Sequence, residues 1–411
     1  MADEWAEYVN DPRMVCKYST KCYLKNPDHH EKFKHPPHNK RKDISRNKRR
    51  FSPYTRDSPR QSSNTHNKDE SPSHKAAGSK ASLPQKQIDV EFPDNITFYD
   101  KDSDHSIFKE LFLLEMPEDF FKFYECISGC GKSVENTLSS VNLELIGPYE
   151  LLLGKLPKLE NKELYLIHWR FYYDPPEYQA VLKKKKNSEY HIGYFRDDPD
   201  KKPVFVASND SEKDYHITPM AENIFGAVYQ YLQHEKKHSP FTAMSCQKLM
   251  DKIKAFAEES NISLEEFNMK KRIPHIVTRA FHGAGVVVPY NKKTQLGYRR
   301  LVETDANLKK LFASLEKATN QDDKDKILSD LQPVITYASI AVDECDFGTG
   351  LEVGIALLCS GLRELEPSAL SSLTAAYTVL NRTAFAEIIK AHIKYRRRGS
   401  NMTMLSLKKL K

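Results

Sequence analysis

The chain has 411 residues, of which 39% are hydrophobic and 29% are charged, with a formal net charge of +7 and a mean hydropathy of −0.65. This composition allows about two to three domains and indicates that part of the chain does not fold. We expect neither a membrane span of roughly 18 apolar residues nor a secretory signal, and the seven cysteines without a dense framework suggest reduced thiols in the cytosol or nucleus.

A cysteine and histidine motif occupies residues 14–38. Two thiolates and two imidazoles at this spacing can form a closed tetrahedral zinc site, and a segment this short needs such a staple in order to fold. His30 directly follows His29 and is an alternative ligand at that position. The predicted zinc ligands are Cys16, Cys22, His29 and His35.

These ligands and the residues between them resemble the poly(ADP-ribose)-binding zinc finger of DNA-damage and checkpoint proteins. The family spacing favours the first of the two adjacent histidines. The resemblance implies that the finger binds Zn²⁺ and poly(ADP-ribose), with Tyr18 and Tyr23 against the adenine ring. Ser19 replaces the glycine that is usual in this family, and Leu24 replaces the usual basic residue. The matching strings are residues 16–18, 22–29 and 33–36.

Residues 39–90 are predicted to form a disordered basic linker. They are rich in Lys, Arg, Ser, Pro, Asn and Asp and have almost no large aliphatic side chains, so they cannot bury enough surface to offset chain entropy. Residues 40–50 are nearly all basic, and residues 394–398 are basic again. Such clusters suit nuclear import or nonspecific contact with nucleic acid or another polyanion, and the alternative is a solvated linker.

The folded part is predicted to be α+β, with a small α/β sheet domain over residues 91–240. A helix is expected to begin near Pro117, where acidic residues occupy the first turn, and an amphipathic helix follows Ile224. Together these elements predict helices that flank a largely antiparallel sheet. The predicted strands cover residues 141–145, 164–172, 190–195 and 204–207.

A mainly helical domain is predicted over residues 241–395, followed by a basic tail over residues 396–411. Thr304 is a plausible helix cap. A glycine turn at residues 281–285 is expected to feed a short strand; it lacks the Lys-Ser/Thr ending of a phosphate loop, so we interpret it as structural. The later predicted helices cover residues 326–342, 350–362, 368–380 and 383–395.

Two adjacent acids, Asp343 and Glu344, end an apolar run at residues 334–342. If that run is a helix ending near Gly348, both acids lie in its last turn, where the helix dipole disfavours negative charge. Carboxylates held in such a place are candidates for a general base. The alternative interpretation is an exposed acidic helix end closed by a glycine C-cap.

The folded region, roughly residues 96–395, resembles the histone PARylation factor family of accessory subunits of nuclear poly(ADP-ribose) polymerases. Long, unusual strings of residues spread over this region carry the resemblance. One of these strings contains Asp343 and Glu344, so the resemblance implies a function for the acidic pair. The strings are residues 168–177, 193–197, 281–285, 303–305, 343–346 with 348–354, and 385–388.

The resemblance implies a protein that is not an enzyme on its own. It would dock beside the NAD site of the polymerase, complete a joint active site, and direct ADP-ribosylation to serine on histones. Glu344 would be the general base, Asp343 would support the interface, and Arg272 would engage the acidic pair and the partner. NAD would be bound by the polymerase, and the protein would be nuclear, at damaged chromatin.

The sequence leaves two alternatives open. The first is a pure poly(ADP-ribose)-binding adaptor, in which Glu344 is structural. The second is a free-standing ADP-ribosyl hydrolase that uses Asp343 and Glu344 as an acid and base pair. A hydrolase needs its own nucleotide pocket, and the sequence shows no phosphate-binding glycine motif.

Overall fold

The computed structural model describes residues 11–15, 31–34, 90–129 and 133–410. The predicted zinc ligands, Tyr18 and Tyr23 lie outside these residues, as does the predicted linker except for its last residue. The chain divides into two compact units, Met1–Ser79 and Lys80–Lys411. In the first unit, the short strand β1 (Met14–Val15) pairs in parallel with β2 (Phe33–Lys34).

The second unit contains a five-stranded antiparallel sheet with its strands in sequence order. The predicted strands at residues 141–145, 190–195 and 204–207 are confirmed, with small shifts of their bounds. The sheet therefore has the antiparallel character that the alternating patterns predicted. Its strands are β3 (Leu143–Leu145), β4 (Tyr178–Lys184), β5 (Tyr190–Phe195), β6 (Phe205–Asp210) and β7 (Thr218–Ala221).

The strand predicted at residues 164–172 was wrong. This segment begins with a single helical turn that buries the consecutive side chains of Leu164 and Tyr165, and consecutive burial is incompatible with a half-exposed strand. Trp169 then has a φ of 57°, in the left-handed region, so the chain turns there. Polar contacts of the neighbouring side chains hold the turn, because Arg170 Nη1 donates to the carbonyls of Pro175 (2.8 Å) and Tyr178 (2.9 Å).

Helices pack against the sheet, and along the chain they lie before β4 and after β7. Pro117 is the N-cap of the second of them, and two acids occupy its first turn, as predicted. Asn223 caps the long helix after β7 by accepting a hydrogen bond from the amide of Gly226. The helices are α1 (Ser106–Phe112), α2 (Glu118–Ser128), α3 (Val134–Ser139), α4 (Tyr149–Leu152), α5 (Glu163–Leu166), α6 (Ile224–His238) and α7 (Ala243–Glu259).

The C-terminal half is helical, and its predicted helices are confirmed. The Thr304 side chain accepts a hydrogen bond from the amide of Asn307, so it is the helix cap that the sequence indicated. A short strand was expected after the glycine turn at 281–285, but Val286 forms an isolated bridge with Thr278 there. The helices are α8 (Met269–Arg272), α9 (Asp305–Lys317), α10 (Gln321–Asp343), α11 (Phe347–Ser360), α12 (Glu366–Val379) and α13 (Thr383–Tyr395).

One hydrophobic core links the sheet and the helices of the second unit. Its buried members run from Val90 to Leu407 and include side chains on both sides of the predicted domain boundary near residue 240. The boundary near residue 240 therefore marks a change from a sheet with helices to helices alone. That this boundary separates two domains remains a prediction. In the described part of the chain, no helix is long and apolar enough to cross a bilayer.

Residues 396–410, expected as a basic tail, pack against other parts of the second unit. Met402, Met404 and Leu407 are buried. The amide of Met404 donates to His168 Nδ1 at 3.1 Å, which ties this segment to the 168–177 string. Arg396 is also buried, and its guanidinium lies 3.9 Å from the centre of the Tyr172 ring, so this arginine serves packing instead of polyanion contact.

We expect Met404→Ala to lower the free energy of unfolding by about 2–5 kcal/mol, because it leaves a cavity at a fully buried methionine. Urea unfolding of the full chain measures this change. Met244→Ala is the matched control, since that methionine is 72% exposed and its replacement should stay within about 0.5 kcal/mol. Equal effects of the two substitutions would show that the C-terminal segment is not packed as described.

Candidate functional site

The acidic pair lies at the junction of α10 and α11. Asp343 is the last residue of α10 and Glu344 is its C-cap, so both acids sit at the carboxyl end of the helix as predicted. The helix does not end on glycine. Cys345, with a φ of 68°, makes the left-handed turn, and α11 begins two residues later. The glycine C-cap of the alternative interpretation was therefore wrong.

Gly348 and Gly350 serve close packing inside α11. A Cβ on Gly348 would lie 3.1 Å from the carbonyl oxygen of Gly297, and a Cβ on Gly350 would overlap the side chain of Val342. These glycines let the first turn of α11 approach both the end of α10 and the segment around Gly297. The two helices can then meet at a tight corner that presents the acids outward.

Both acids face solvent. Asp343, Glu344 and Cys345 are exposed, and the side chain of Glu344 is 60% exposed. Asp346, two residues after Glu344, is 11% exposed by its side chain and points into the corner between the helices. The corner therefore carries an outer pair of carboxylates that a second molecule can reach and an inner carboxylate that it cannot reach directly.

Arg299 is the cation at this site. Its Nη2 contacts Glu344 Oε2, and its Nε lies 2.7 Å from Asp346 Oδ2. Partial burial opposes protonation, but the hydrogen bond to Glu344 and the charge of Asp346 raise the pKa of Arg299 above its ordinary value. The guanidinium also lies over the ring of Tyr337, 5.6 Å from its centre. Within the described residues, Glu344 Oε1 has no hydrogen-bond partner.

Arg272, expected beside the acidic pair, is placed elsewhere. Its side chain is 3% exposed, and its two terminal nitrogens bind the two oxygens of Asp197 at 2.9 and 2.6 Å. Its Nε donates to the carbonyl of Ala284 at 2.8 Å. Burial and the nearby charge of Arg272 lower the pKa of His282 to about 3. Arg272 therefore holds buried segments together through Asp197 and Ala284, and Arg299 is the arginine beside Glu344.

Exposed apolar residues occur on α10 before the acidic pair and in the segment around Gly297. Ile340, 48% exposed, is one helical turn before Glu344 on α10. Leu296, 51% exposed, precedes Gly297, whose amide donates to Asp346 Oδ1. Tyr290 is 38% exposed, and its Cα lies beside Gly297. Acidic and apolar groups on one exposed corner are a combination that suits a protein partner.

The described residues contain no group of three or more side chains able to hold a metal ion. The predicted ligands Cys16, Cys22, His29 and His35 lie outside them. Two thiolates and two neutral imidazoles are the donor set of closed structural zinc sites, so the chemistry of the four residues fits Zn²⁺.

Two family models match the chain in separate regions. The model described as histone PARylation factor 1 matches residues 103–396, and the model of the PBZ domain matches residues 13–38, which contain all four predicted zinc ligands.

Three similar proteins each cover 68–69% of this chain. A Bos taurus protein named histone PARylation factor 1 is 39% identical over 289 residues, which are 68% of this chain and 83% of that protein. A Danio rerio protein of the same name is 37% identical over 294 residues, covering 69% and 83%. A Mus musculus protein, also of that name, is 37% identical over 294 residues, covering 69% and 84%.

Proposed function

Because this chain belongs to the histone PARylation factor 1 family, we propose that it is an accessory factor of a nuclear poly(ADP-ribose) polymerase that directs ADP-ribosylation to serine. It docks on the catalytic domain of the polymerase and completes a joint active site there. Its targets are histones and other proteins at damaged chromatin. The chain is not an enzyme on its own and binds no NAD.

The exposure of Glu344 is the observation that carries this proposal. A residue that completes another protein's active site has to reach across an interface, and the Glu344 side chain is 60% exposed at a helix corner. Arg299 binds only Oε2, so Oε1 remains as the proton acceptor. Arg299 also pairs with the inner carboxylate of Asp346, so its guanidinium bridges Glu344 and Asp346.

The chemistry of serine modification needs such a carboxylate. A serine hydroxyl is a weak nucleophile, and a general base within hydrogen-bond reach supplies roughly 10²–10⁴-fold in rate. Glu344 accepts the hydroxyl proton as the serine Oγ forms its bond to the anomeric carbon of the NAD ribose. The bond from that carbon to the nicotinamide nitrogen breaks, and nicotinamide leaves with the bonding electrons.

The corner around Glu344 has the composition of a docking surface. Ile340, Leu296 and Tyr290 supply apolar area close to the acids, and Asp343 adds a charge that a basic group on the polymerase can meet. Apolar contacts at an interface exclude water, which strengthens the electrostatic interactions of the charged groups that they enclose. Docking at this corner brings Glu344 to the partner's nucleotide site without a change in the fold.

The N-terminal finger gives the proposal a second part, binding of existing poly(ADP-ribose). A finger that holds polymer raises the local concentration of the docking unit near active polymerase. The basic residues 40–50 add a salt-sensitive contact with DNA or polymer. The match to the PBZ domain also favours the alternative function, a non-catalytic adaptor that is recruited to polymer at damaged chromatin.

We expect the double substitution Cys16→Ala and Cys22→Ala to abolish binding of poly(ADP-ribose) by the finger, because the zinc site holds the segment together. Fluorescence polarisation with labelled polymer, before and after zinc chelation of the unchanged chain, measures this binding. Serine modification at saturating concentrations of the variant should persist, which provides the control. Unchanged polymer binding by the variant would argue against the finger as the reader.

A further inference from the structure

The first turn of α11 holds the backbone of residues 297–299 from two sides. The amide of Gly297 donates to Asp346 Oδ1 at 2.8 Å, and the amide of Gly348 donates to the carbonyl of Gly297 at 2.9 Å. These reciprocal bonds fix the position of Gly297 against the start of the helix. Arg299 is only two residues further along, so its location depends on the same contacts.

Thr349 holds Arg299 directly. The amide of Arg299 donates to Thr349 Oγ1 at 3.0 Å, and the same hydroxyl donates to the carbonyl of Arg299 at 2.7 Å. The Thr349 side chain is fully buried, so no water competes for these bonds. A single hydroxyl thereby satisfies both backbone groups of the residue whose side chain contacts Glu344.

Asp346 then sets the side chain of Arg299. Its Oδ2 lies 2.7 Å from Nε, on the inner side of the guanidinium, while Nη2 faces outward to Glu344. Next to Arg299, the Tyr298 hydroxyl donates to Glu352 Oε2 at 3.1 Å, which fastens the segment one turn further along α11. Hydrogen bonds fix the backbone of Arg299, and its Nε is held by the charge of Asp346 as an ion pair without hydrogen-bond geometry.

From this arrangement, and resting on the proposed function, we infer that Asp346 and Thr349 are positioning residues of the joint active site. They act through Arg299. A free arginine side chain loses rotamer entropy when it becomes ordered, and a catalytic group misplaced by about 1 Å loses much of its effect. The start of α11 removes that disorder in advance and keeps the Glu344 carboxylate aimed outward with Oε1 open.

Asp346→Asn is the main test. Asparagine keeps an oxygen for the amide of Gly297 but loses the charge facing Nε. We expect the maximal rate of serine modification of a histone peptide, with polymerase and NAD, to fall about tenfold. The concentration of the chain that gives half of the maximal rate should change less than threefold. An unchanged maximal rate would overturn the inference.

A double-mutant cycle tests whether the two residues act through Arg299. In an Arg299→Ala background, Asp346→Asn should produce less than a twofold further loss, because its target is gone. A tenfold loss in both backgrounds would show that Asp346 acts independently of Arg299 and would overturn the inference.

Thr349 provides a conservative rescue. Thr349→Val should lower the maximal rate about fivefold to tenfold, and Thr349→Ser, which restores the hydroxyl, should return it to within about twofold. Thermal melting of the full chain reports whether each variant is folded. If Thr349→Val does not fold, the Asp346→Asn cycle still decides the matter. A Thr349→Val protein that is folded and fully active would overturn the role of Thr349.

Glu344→Gln, measured in the same assay, separates this inference from the proposed function. Loss of activity in Glu344→Gln with normal activity in Asp346→Asn would leave the proposed function intact and remove only the positioning role. Full activity in Glu344→Gln would remove the proposed function itself. Glu387→Gln is the matched control, since Glu387 is also an exposed acid in an ion pair, 2.7 Å from Lys390, on α13.

Discussion

Glu344→Gln should reduce serine ADP-ribosylation by the complex about 10²–10⁴-fold. The amide has nearly the shape of the carboxylate but cannot accept a proton, so the serine hydroxyl loses its base. The contact surface around Ile340 and Leu296 is unchanged, and we expect the affinity for the polymerase to stay within about threefold. Mass spectrometric mapping of acceptor residues on histone peptides, with polymerase and NAD, measures the loss.

The control for this result is a binding measurement on the same protein. Titration of labelled Glu344→Gln into the polymerase catalytic domain establishes that docking persists, and peptide mapping is then done at saturation. Normal serine labelling by a docked Glu344→Gln protein would falsify the assignment of the base. An adaptor in which Glu344 is structural predicts that outcome, so the experiment also separates the two candidate functions.

Asp197→Ala should lower the free energy of unfolding by about 3–5 kcal/mol. It leaves the guanidinium of Arg272, 3% exposed, without its carboxylate partner, and an unpaired buried charge is strongly destabilising. Urea unfolding of the full chain measures the loss. At temperatures where the variant remains folded, serine modification should stay near that of the unchanged protein.

Arg299→Ala is the matched comparison and should behave in the opposite way. Its side chain is 30% exposed and its partner Glu344 is 60% exposed, so that ion pair contributes at most about 1 kcal/mol to stability. Losing the second ion pair, with the 11% exposed Asp346, adds to the loss of stability, which we expect to stay below that of Asp197→Ala. Serine modification should nevertheless fall by about tenfold or more, because Glu344 loses the cation that orients its carboxylate. If Arg272 were instead the interface residue, Asp197→Ala and Arg272→Ala would weaken docking without unfolding the chain.

The helices and three of the five strands of the sheet could be predicted from the sequence, because the patterns that mark them involve residues close together in the chain. Helical spacing and caps such as Thr304 depend on residues a few positions apart. The strand β4 was missed because nearly all of its residues are buried, so it lacks the alternation that marks a half-exposed strand. The strand β7 was missed because it has only four residues and contains Pro219.

The acidic pair was recognisable in the sequence, but its cation was not. Arg299 and Glu344 are 45 residues apart, and only the packing of α11 against residues 297–299 brings them together. Arg272 is the same residue type and lies in a basic cluster, so nothing in residue type or spacing separates it from Arg299. The difference is burial, which is a property of the tertiary structure.

The left-handed turn at Cys345 has a geometric consequence for the charges on either side of it. In an uninterrupted helix, side chains two positions apart point to nearly opposite sides and cannot share one partner. A φ of 68° at Cys345 redirects the chain, so the flanking carboxylates at positions 344 and 346 converge on a single guanidinium. The left-handed conformation of one residue thus brings two carboxylates of a tripeptide together with the distant Arg299, and a β-branched side chain at position 345 would oppose this conformation.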